Sequence, residues 1–236
     1  MPVKERLSRE RIVDSAIALA DAEGLEAVTI RRLAQDQGVT PMALYWHFKD
    51  KDRLLEGISE RLLSQVVRPT ASDRSDRSYR SDRSDPSGQP WYEELRELLA
   101  ALLAVLRTHP ATADLVQQRV LLSEPGLEIA EHALRLLREA GFSPEQAAQL
   151  SGHALHSIVT LVTNQPGLMV GEEEGLREER IRLKRVTFQA LPPQRFPFML
   201  ASADAFTECG NEPAYFDLGL DLFIAGVRAV APTAVG

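Results

Sequence analysis

Residues 29–48 read TIRRLAQDQGVTPMALYWHF, and this stretch decides the fold of the N-terminal part of the chain. Two short apolar-periodic segments are joined by a turn in which Gly38 stands where a left-handed residue ends a helix. Thr29 precedes the first segment at an N-cap position, and Thr40-Pro41 opens the second with a hydroxyl N-cap and a first-turn proline. We expect the Thr40 cap to contribute about 1 kcal/mol. The spacing predicts a helix-turn-helix whose second helix, of about seven residues, enters a DNA major groove.

The second helix of this pair ends in three aromatic residues, Tyr45, Trp46 and Phe48. Because they are nearly consecutive, they point in different directions around a helix and cannot all face the core. Polar-tipped aromatic side chains on an exposed face need a partner, which base edges or a DNA backbone provide. The alternative is a plain corner between two helices.

Composition limits the classes of protein to which the chain can belong. The 236 residues are 44% hydrophobic with a single cysteine, Cys209, which excludes wholesale disorder and an intramolecular disulfide. Since the sequence shows neither a signal-peptide core nor an uncharged run of about 18 residues, we expect a soluble, cytoplasmic protein with no membrane partner. The net charge of −7 argues against a nucleic-acid binder. However, residues 1–68 carry eleven charges of each sign, and the acidic excess lies entirely in residues 91–236.

Hydrophobic periodicity favours an all-α fold, because strand-like alternation is hard to find anywhere. We expect a helix-turn-helix domain in residues 1–68, a flexible Ser/Asp/Arg-rich linker in residues 69–90, and a helical regulatory and dimerisation domain in residues 91–236. The alternative for the linker is a phosphorylated or nucleic-acid-binding segment, although its charges balance. The pattern predicts a helix that ends near His109 and others over residues 111–122, 127–140, 144–164, 176–191, 197–209 and 213–230.

Residues 9–63 resemble the DNA-binding domain of the TetR family of bacterial transcriptional repressors. The marks of that family stand here, in order, as Ile12-Val13-Asp14-Ala16, Gly24, Thr29-Ile30-Arg31-Arg32-Leu33-Ala34, Gly38-Val39, Leu44-Tyr45-Trp46-His47-Phe48 and Lys51. The rest of the chain is similar to the tetracycline-repressor type of regulatory domain in Gly141-Phe142-Ser143, Gly152-His153-Ala154 and Phe216-Asp217-Leu218-Gly219-Leu220-Asp221-Leu222. The resemblance implies an all-α protein with an N-terminal helix-turn-helix domain and a C-terminal helical domain for ligand binding and dimerisation. It also implies a homodimeric repressor without a cofactor, which a small-molecule effector releases from a palindromic double-stranded DNA operator.

Two features depart from the family pattern. The Ser/Asp/Arg-rich segment is an insertion after the fourth predicted helix, which Asp50 caps and whose apolar stripe of Leu54, Ile58, Leu62 and Val66 runs to the linker. Residues 111–125 do not show the metal and drug ligands of the tetracycline repressors. We therefore expect an effector other than tetracycline.

The resemblance assigns DNA-contacting roles to individual residues. Arg31 is placed as a reader of guanine, whose O6 and N7 match the guanidinium fork; the alternative is a surface salt bridge. Pro41, Met42 and Ala43 occupy the turn nearest the bases, where apolar side chains meet thymine methyl groups. The expected contacts to phosphate and sugar are Thr29, Thr40, Tyr45, Trp46, His47, Lys49 and Lys51.

A single module of this kind binds weakly, so we expect two copies to read half-sites about 34–36 Å apart. The last predicted helix is apolar on two faces, one for the core and one for a partner. The predicted dimerisation residues lie on this helix and on the helix over residues 144–164: Ala148, Ser151, Leu155, Ile158, Leu218, Gly219, Leu222 and Gly226. The alternative is a purely internal helical hairpin.

An effector pocket between helices needs a few polar groups on otherwise apolar walls. The candidates are His109, Gln117, Gln118, Arg119, His153, His156, Asn164 and Gln165. His153 and His156 have the spacing to share a metal, but a third ligand is not evident, so we predict no metal site.

Two other classes of function compete with a repressor. Cys209 has no nearby base in sequence, and G-x-S-x-G, H-E-x-x-H and G-x-x-x-x-G-K motifs are lacking, so no catalytic residue is predicted. The other alternative is a helical adaptor that does not bind DNA. Operator binding with a steep salt dependence separates a repressor from both.

Overall fold

The computed structural model describes residues 7–66, 90–165, 174–207 and 212–232. Within these ranges every regular element is helical, which confirms the all-α prediction. The predicted linker lies outside the described residues except for Pro90, and so does Cys209. In the described ranges, no single helix is long and apolar enough to cross a membrane. Two consecutive helical segments, residues 91–108 and 110–122, are long and apolar enough only when they are taken together, and the chain bends by 107° between them.

Four α-helices form the N-terminal part of the molecule. They are α1 (Arg9–Glu23), α2 (Ile30–Asp36), α3 (Pro41–Tyr45) and α4 (Lys51–Leu63), with a 3-10 turn at Leu25–Ala27. Side-chain oxygens of Ser8, Thr29 and Asp50 accept hydrogen bonds from backbone N–H groups in the first turns of α1, α2 and α4. These caps satisfy donors that have no partner within the helix.

The start of α3 differs from the prediction. Thr40 occupies the N-cap position, but its hydroxyl makes no capping hydrogen bond. The Ala43 N–H, which is the donor at the third position of the helix that such a cap uses, donates instead to the Thr40 carbonyl at 2.9 Å. The helix has five residues instead of about seven.

Eight further α-helices follow in the described ranges. They are α5 (Trp91–Thr108), α6 (Ala113–Arg119), α7 (Glu124–Glu139), α8 (Pro144–Thr163), α9 (Glu174–Gln189), α10 (Pro197–Ala201), α11 (Ala203–Thr207) and α12 (Glu212–Ala229). The predicted helix over residues 111–122 is a short α-helix between two 3-10 turns. The predicted helix over residues 197–209 is interrupted at Ser202, whose N–H is shared between the carbonyls of Phe198 and Met199. Ser143 and Gln146 form the capping box at the start of α8.

The C-terminal core is built mainly from α5, α7, α8 and α12, which pack against one another. Leu98, Leu102 and Leu106 of α5 are buried, as are Phe216 and Leu220 of α12. The opposite face of α12 leaves two leucines exposed. The helix is therefore apolar on two sides, and this chain covers only one of them.

The helix α4 joins the N-terminal helices to the rest. Its apolar stripe of Leu54, Ile58 and Leu62 is buried, as is Val66 just past its end, and the helix packs on α6 and α7. Polar contacts reinforce the junction: Asp21 Oδ2 of α1 lies 2.8 Å from His109 Nδ1, and Asp52 Oδ1 of α4 accepts from Arg119 Nη2 of α6 at 3.1 Å. The junction is thus held by an apolar seam with a polar contact from each of α1 and α4.

Candidate DNA interface and ligand cavity

The turn between α2 and α3 sets the direction of α3. Gly38 has a φ of 63°, in the left-handed region that glycine tolerates. Its N–H donates to the Gln35 carbonyl at 3.0 Å, and the Val39 N–H donates to the Ala34 carbonyl at 2.9 Å. This pair of bonds is a Schellman motif, which closes α2 and turns the chain into α3.

The helix α3 presents an apolar and aromatic surface that the core does not use. Leu44 is fully buried and anchors the helix. Met42 is 66% exposed, Tyr45 is 48% exposed and Trp46 is 86% exposed. Phe48, just after α3, returns to the core because its N–H and that of His47 both donate to the Leu44 carbonyl. The prediction that the aromatic residues divide between core and surface is therefore confirmed.

Residues of α1 and α4 pack around Phe48. The ring is fully buried, and the Arg9 guanidinium lies 4.6 Å from its centroid. A Cβ atom added to Gly57 would approach both Phe48 and Val13 at 3.2 Å. Gly57 therefore allows α4 to pack closely on Phe48 and Val13, a role that the sequence analysis missed. The available signal was a glycine on the buried side of α4, one residue before Ile58.

The other residues predicted to contact DNA lie on α3 itself, on α2, on α4 and on the connecting turns. Ala43 and His47 are half-buried. The remaining members are exposed: Thr29, Arg31, Thr40, Pro41, Lys49 and Lys51.

Arg31 and Arg32 are adjacent in α2 but have different surroundings. Arg32 Nη2 donates to Glu23 at 2.7 Å, and its Nε donates to Asp36 at 3.0 Å, so its guanidinium ties α2 to the end of α1. The hydrogen bonds to Glu23 and then Asp36 raise the pKa of Arg32 above its ordinary value. Arg31 is exposed and forms no ion pair with any residue that the structure describes. The surface salt bridge, considered above as the alternative for Arg31, belongs to Arg32.

A cavity of about 390 Å³ lies between α5, α6, α7 and α8. Its walls are formed by Leu98, Leu99, Leu102, Gln117, Val120, Leu121, Ile129, Ala130, Ala133, Leu134, Ala148, Ser151, Gly152, Ala154 and Leu155. Gln117 Nε2 donates to His156 Nδ1 at 3.3 Å. Such a cavity has the size and apolar walls of a small-molecule site.

Most residues predicted to bind the effector lie elsewhere. Gln117 lines the cavity and His156 contacts it through Gln117, whereas His109 pairs with Asp21 of α1 and Arg119 pairs with Asp52 of α4. The rest do not line the cavity: Gln118, His153, Asn164 and Gln165. The amphipathic pattern of α6 and α8 could not show which polar residues face α5 and α7.

Several predicted dimerisation residues also have other positions. Ile158 is 1% exposed and belongs to the chain's own core. A Cβ atom on Gly219 would come within 2.5 Å of Leu161 Cδ2, so this glycine allows α12 to approach α8 of the same chain. Three others line the cavity, and the first of them is also exposed at the surface: Ala148, Ser151 and Leu155. The residues that remain on an open surface of α12 are Leu218, Leu222 and Gly226.

His153 and His156 are exposed on α8 one turn apart. Among the residues described here, no group of three or more His, Cys, Asp or Glu side chains is arranged to hold a metal ion.

The chain matches two protein families along most of its length. Residues 12–58 match bacterial regulatory proteins, tetR family, and residues 85–231 match the tetracyclin repressor-like, C-terminal domain. Tetracycline repressor protein class C of Escherichia coli is 30% identical over 231 residues, which cover 97% of this chain and 94% of that protein.

Solved structures agree with this assignment. ActR of Streptomyces coelicolor in complex with actinorhodin has a TM-score of 0.72 and 27% identity, covering 97% of this chain and 100% of that one. The complex of ActR with (S)-DNPA has a TM-score of 0.71 and 27% identity, covering 95% and 98%. The chain therefore belongs to the tetR family of bacterial regulatory proteins, and it is a ligand-responsive, DNA-binding transcriptional regulator with a tetracycline-repressor-like C-terminal domain.

Proposed function

We propose that this protein is a homodimeric repressor that holds a palindromic operator through α2 and α3 of each chain. A small molecule in the cavity between α5, α6, α7 and α8 releases it. The observation that carries the DNA-binding part is the exposed surface of Met42, Tyr45 and Trp46, on a helix that buried Leu44 and Phe48 hold in place. Proteins of this family are regulators rather than enzymes, bind DNA operators and small-molecule effectors, and act as dimers.

We infer the following division of contacts on DNA. Arg31 reads a guanine, which its lack of a described ion-pair partner supports. Pro41, Met42 and Ala43 select among base pairs by shape and by contact with thymine methyl groups. Contacts to phosphate and sugar fix the register, and they come from Thr29, Thr40, Tyr45, Trp46, His47, Lys49 and Lys51.

A second copy of the chain is the proposed partner of α12. Leu218 is 61% exposed and Leu222 is 65% exposed, four residues apart on one face, and Gly226 continues that face with open space around its Cα. Pairing this face with its symmetry mate would remove the leucines from water and hold two recognition helices at a set separation. We place the domain boundary at the segment 69–90 and the protein in the cytoplasm, where a bacterial regulator meets its DNA.

Release is proposed to act through the junction between the two parts of the molecule. Gln117 and Val120 line the cavity on either side of Arg119, which pairs with Asp52 at the start of α4. An effector that binds better to a form with α4 tilted shifts the population toward that form. A tenfold loss of operator affinity requires only about 1.4 kcal/mol of differential binding.

The test is selection of bound fragments from a random pool of double-stranded DNA. We expect one inverted repeat to be enriched, with half-sites about one helical turn apart. For about eight phosphate contacts, log affinity should fall with log salt concentration at a slope near −7. The helical adaptor, which the comparisons do not favour, predicts no enriched fragment. A chain that stays monomeric and enriches none overturns the proposal.

A further inference from the structure

The walls of the cavity restrict the chemistry of the molecule that binds there. All fifteen lining residues are uncharged, and the set contains no histidine. Thirteen are apolar residues or glycine, and the side chains that offer hydrogen bonds are those of Gln117 and Ser151. The backbone of α5, α7 and α8 adds little, because its N–H and C=O groups are already paired within these helices.

An ionised ligand would lose part of its hydration against these walls without gaining a counter-charge from any lining residue. Burial of a charge is unfavourable unless it is paired and hydrogen-bonded. Arg119 is the charged residue of α6 that follows Gln117 and Gln118 in the chain. It forms ion pairs with Asp52 and Glu56 of α4 and does not line the cavity. The walls therefore select against anions and cations alike.

The polar side chain on the α6 wall contacts a histidine of α8. The Gln117 amide nitrogen lies 3.3 Å from His156 Nδ1 and donates to it when the imidazole proton is on Nε2, which leaves the amide oxygen as an acceptor. No described residue donates to that oxygen. A ligand hydroxyl or amine N–H would satisfy it, while the rest of the ligand contacts leucine, isoleucine, valine and alanine side chains.

We propose that the effector is a neutral, predominantly apolar molecule that fits within about 390 Å³ and presents a hydroxyl or amine hydrogen to Gln117. This inference rests on the proposed function, and it names the class of ligand that the cavity takes.

Two dyes with the same ring skeleton test the preference for a neutral ligand. N-phenyl-1-naphthylamine is neutral and carries one N–H, and 8-anilino-1-naphthalenesulfonate adds an anionic group to the same rings. In fluorescence titrations of the full chain, we expect the neutral dye to saturate at one per chain and to bind at least about tenfold more tightly, a difference of about 1.4 kcal/mol. Equal or tighter binding of the sulfonate, or no saturable binding of the neutral dye, overturns the inference.

Variants locate the dye in the cavity. Ala130→Phe fills the cavity from α7 at a half-buried position and should abolish binding of the neutral dye, with Leu134→Trp as a second filling variant at another half-buried position of α7. Gln118→Lys is the matched control for Gln117→Lys, since Gln118 is exposed and does not line the cavity. Gln117→Lys places an ammonium on the wall and should reverse the preference toward the sulfonate. Unchanged dye binding in both filling variants, each with a normal thermal transition, contradicts the inference.

Operator binding is measured separately with the fragment recovered from the random pool. A chain that selects an operator but does not prefer the neutral dye overturns this inference and leaves the proposed repressor standing. A chain that selects no DNA overturns the proposed function, and with it the effector role of the cavity, even where the neutral dye binds.

Discussion

At the scale of the residue, the adjacent arginines of α2 have separate tasks. Arg32 is held between Glu23 and Asp36 and joins two helices, whereas Arg31 extends from the exposed side of the same helix. A guanidinium already engaged by two carboxylates is not available to a base. The local ion pairs therefore separate a structural arginine from one that is placed to bind DNA.

We expect Arg31→Ala to cost about 1–3 kcal/mol on the selected operator and to relax the preference at one base pair, because a bidentate base contact is lost. Arg32→Ala is the matched control: it loosens α2 against α1 and should weaken operator and random duplex alike. Fluorescence anisotropy on the operator and its single-base variants measures both. An equal loss on random duplex for Arg31→Ala would show that it only contacts phosphate.

The aromatic residues at the end of α3 give a second residue-scale prediction. Phe48→Ala empties a fully buried site and should lower the free energy of unfolding by about 3–5 kcal/mol. Trp46→Ala removes a side chain that is 86% exposed, and should leave the thermal midpoint unchanged while weakening operator binding. Thermal melts followed by circular dichroism, with anisotropy on the operator, separate the two effects. A large drop in thermal midpoint for Trp46→Ala would contradict this division.

At the scale of the element, two threonines in similar sequence contexts behave differently. Thr29 Oγ1 accepts a hydrogen bond from the Arg32 N–H at 3.2 Å and caps α2. Thr40 has the extended backbone of an N-cap, but its hydroxyl does not bond the helix that it precedes. The hydroxyl of Thr40 is therefore available to a phosphate.

We expect Thr29→Ala to lower the free energy of unfolding by about 1 kcal/mol, with Thr29→Ser retaining the cap. Thr40→Ala should leave the stability nearly unchanged and weaken binding to all duplexes, since a phosphate contact carries no sequence information. Chemical denaturation and DNA titration measure the two quantities. Should Thr40→Ala prove as destabilising as Thr29→Ala, the hydroxyl caps α3 in solution.

At the scale of the whole molecule, α12 links the fold to its expected assembly. Its inner face, with Phe216 and Leu220, completes the core, and Gly219 allows the close approach of Leu161 from α8. The outer face keeps Leu218 and Leu222 in water. An apolar face of this kind on a rigid core helix is typical of an interface between subunits.

We expect Leu222→Arg to shift the protein toward monomer in sedimentation experiments and to reduce operator affinity, because two half-sites are no longer bound together. Leu183→Arg is the control, since Leu183 is also exposed but lies on α9. A dimer that persists in Leu222→Arg, with unchanged operator binding, places the interface on another surface.

Local sequence signals determined much of this protein. The caps at Thr29 and Asp50, the glycine turn at Gly38 and the capping box at Ser143 act within a few residues, so the helices that they start or end were predictable. The same holds for the family, because the helix-turn-helix motif is contiguous. Whether the Thr40 hydroxyl caps α3 was not predictable, since this depends on which acceptor receives the hydrogen bond from the Ala43 N–H.

Only the tertiary structure decided which polar residues of the C-terminal part meet the cavity. His109 and Gln117 looked alike as candidates, yet one pairs with Asp21 of α1 and the other lines a cavity between four helices. Ser151 and Leu155 lie on the cavity walls although periodicity allowed them a partner-facing role. Helical periodicity determines which residues share a face, whereas the packing of distant helices determines what that face meets, and this requires the three-dimensional arrangement.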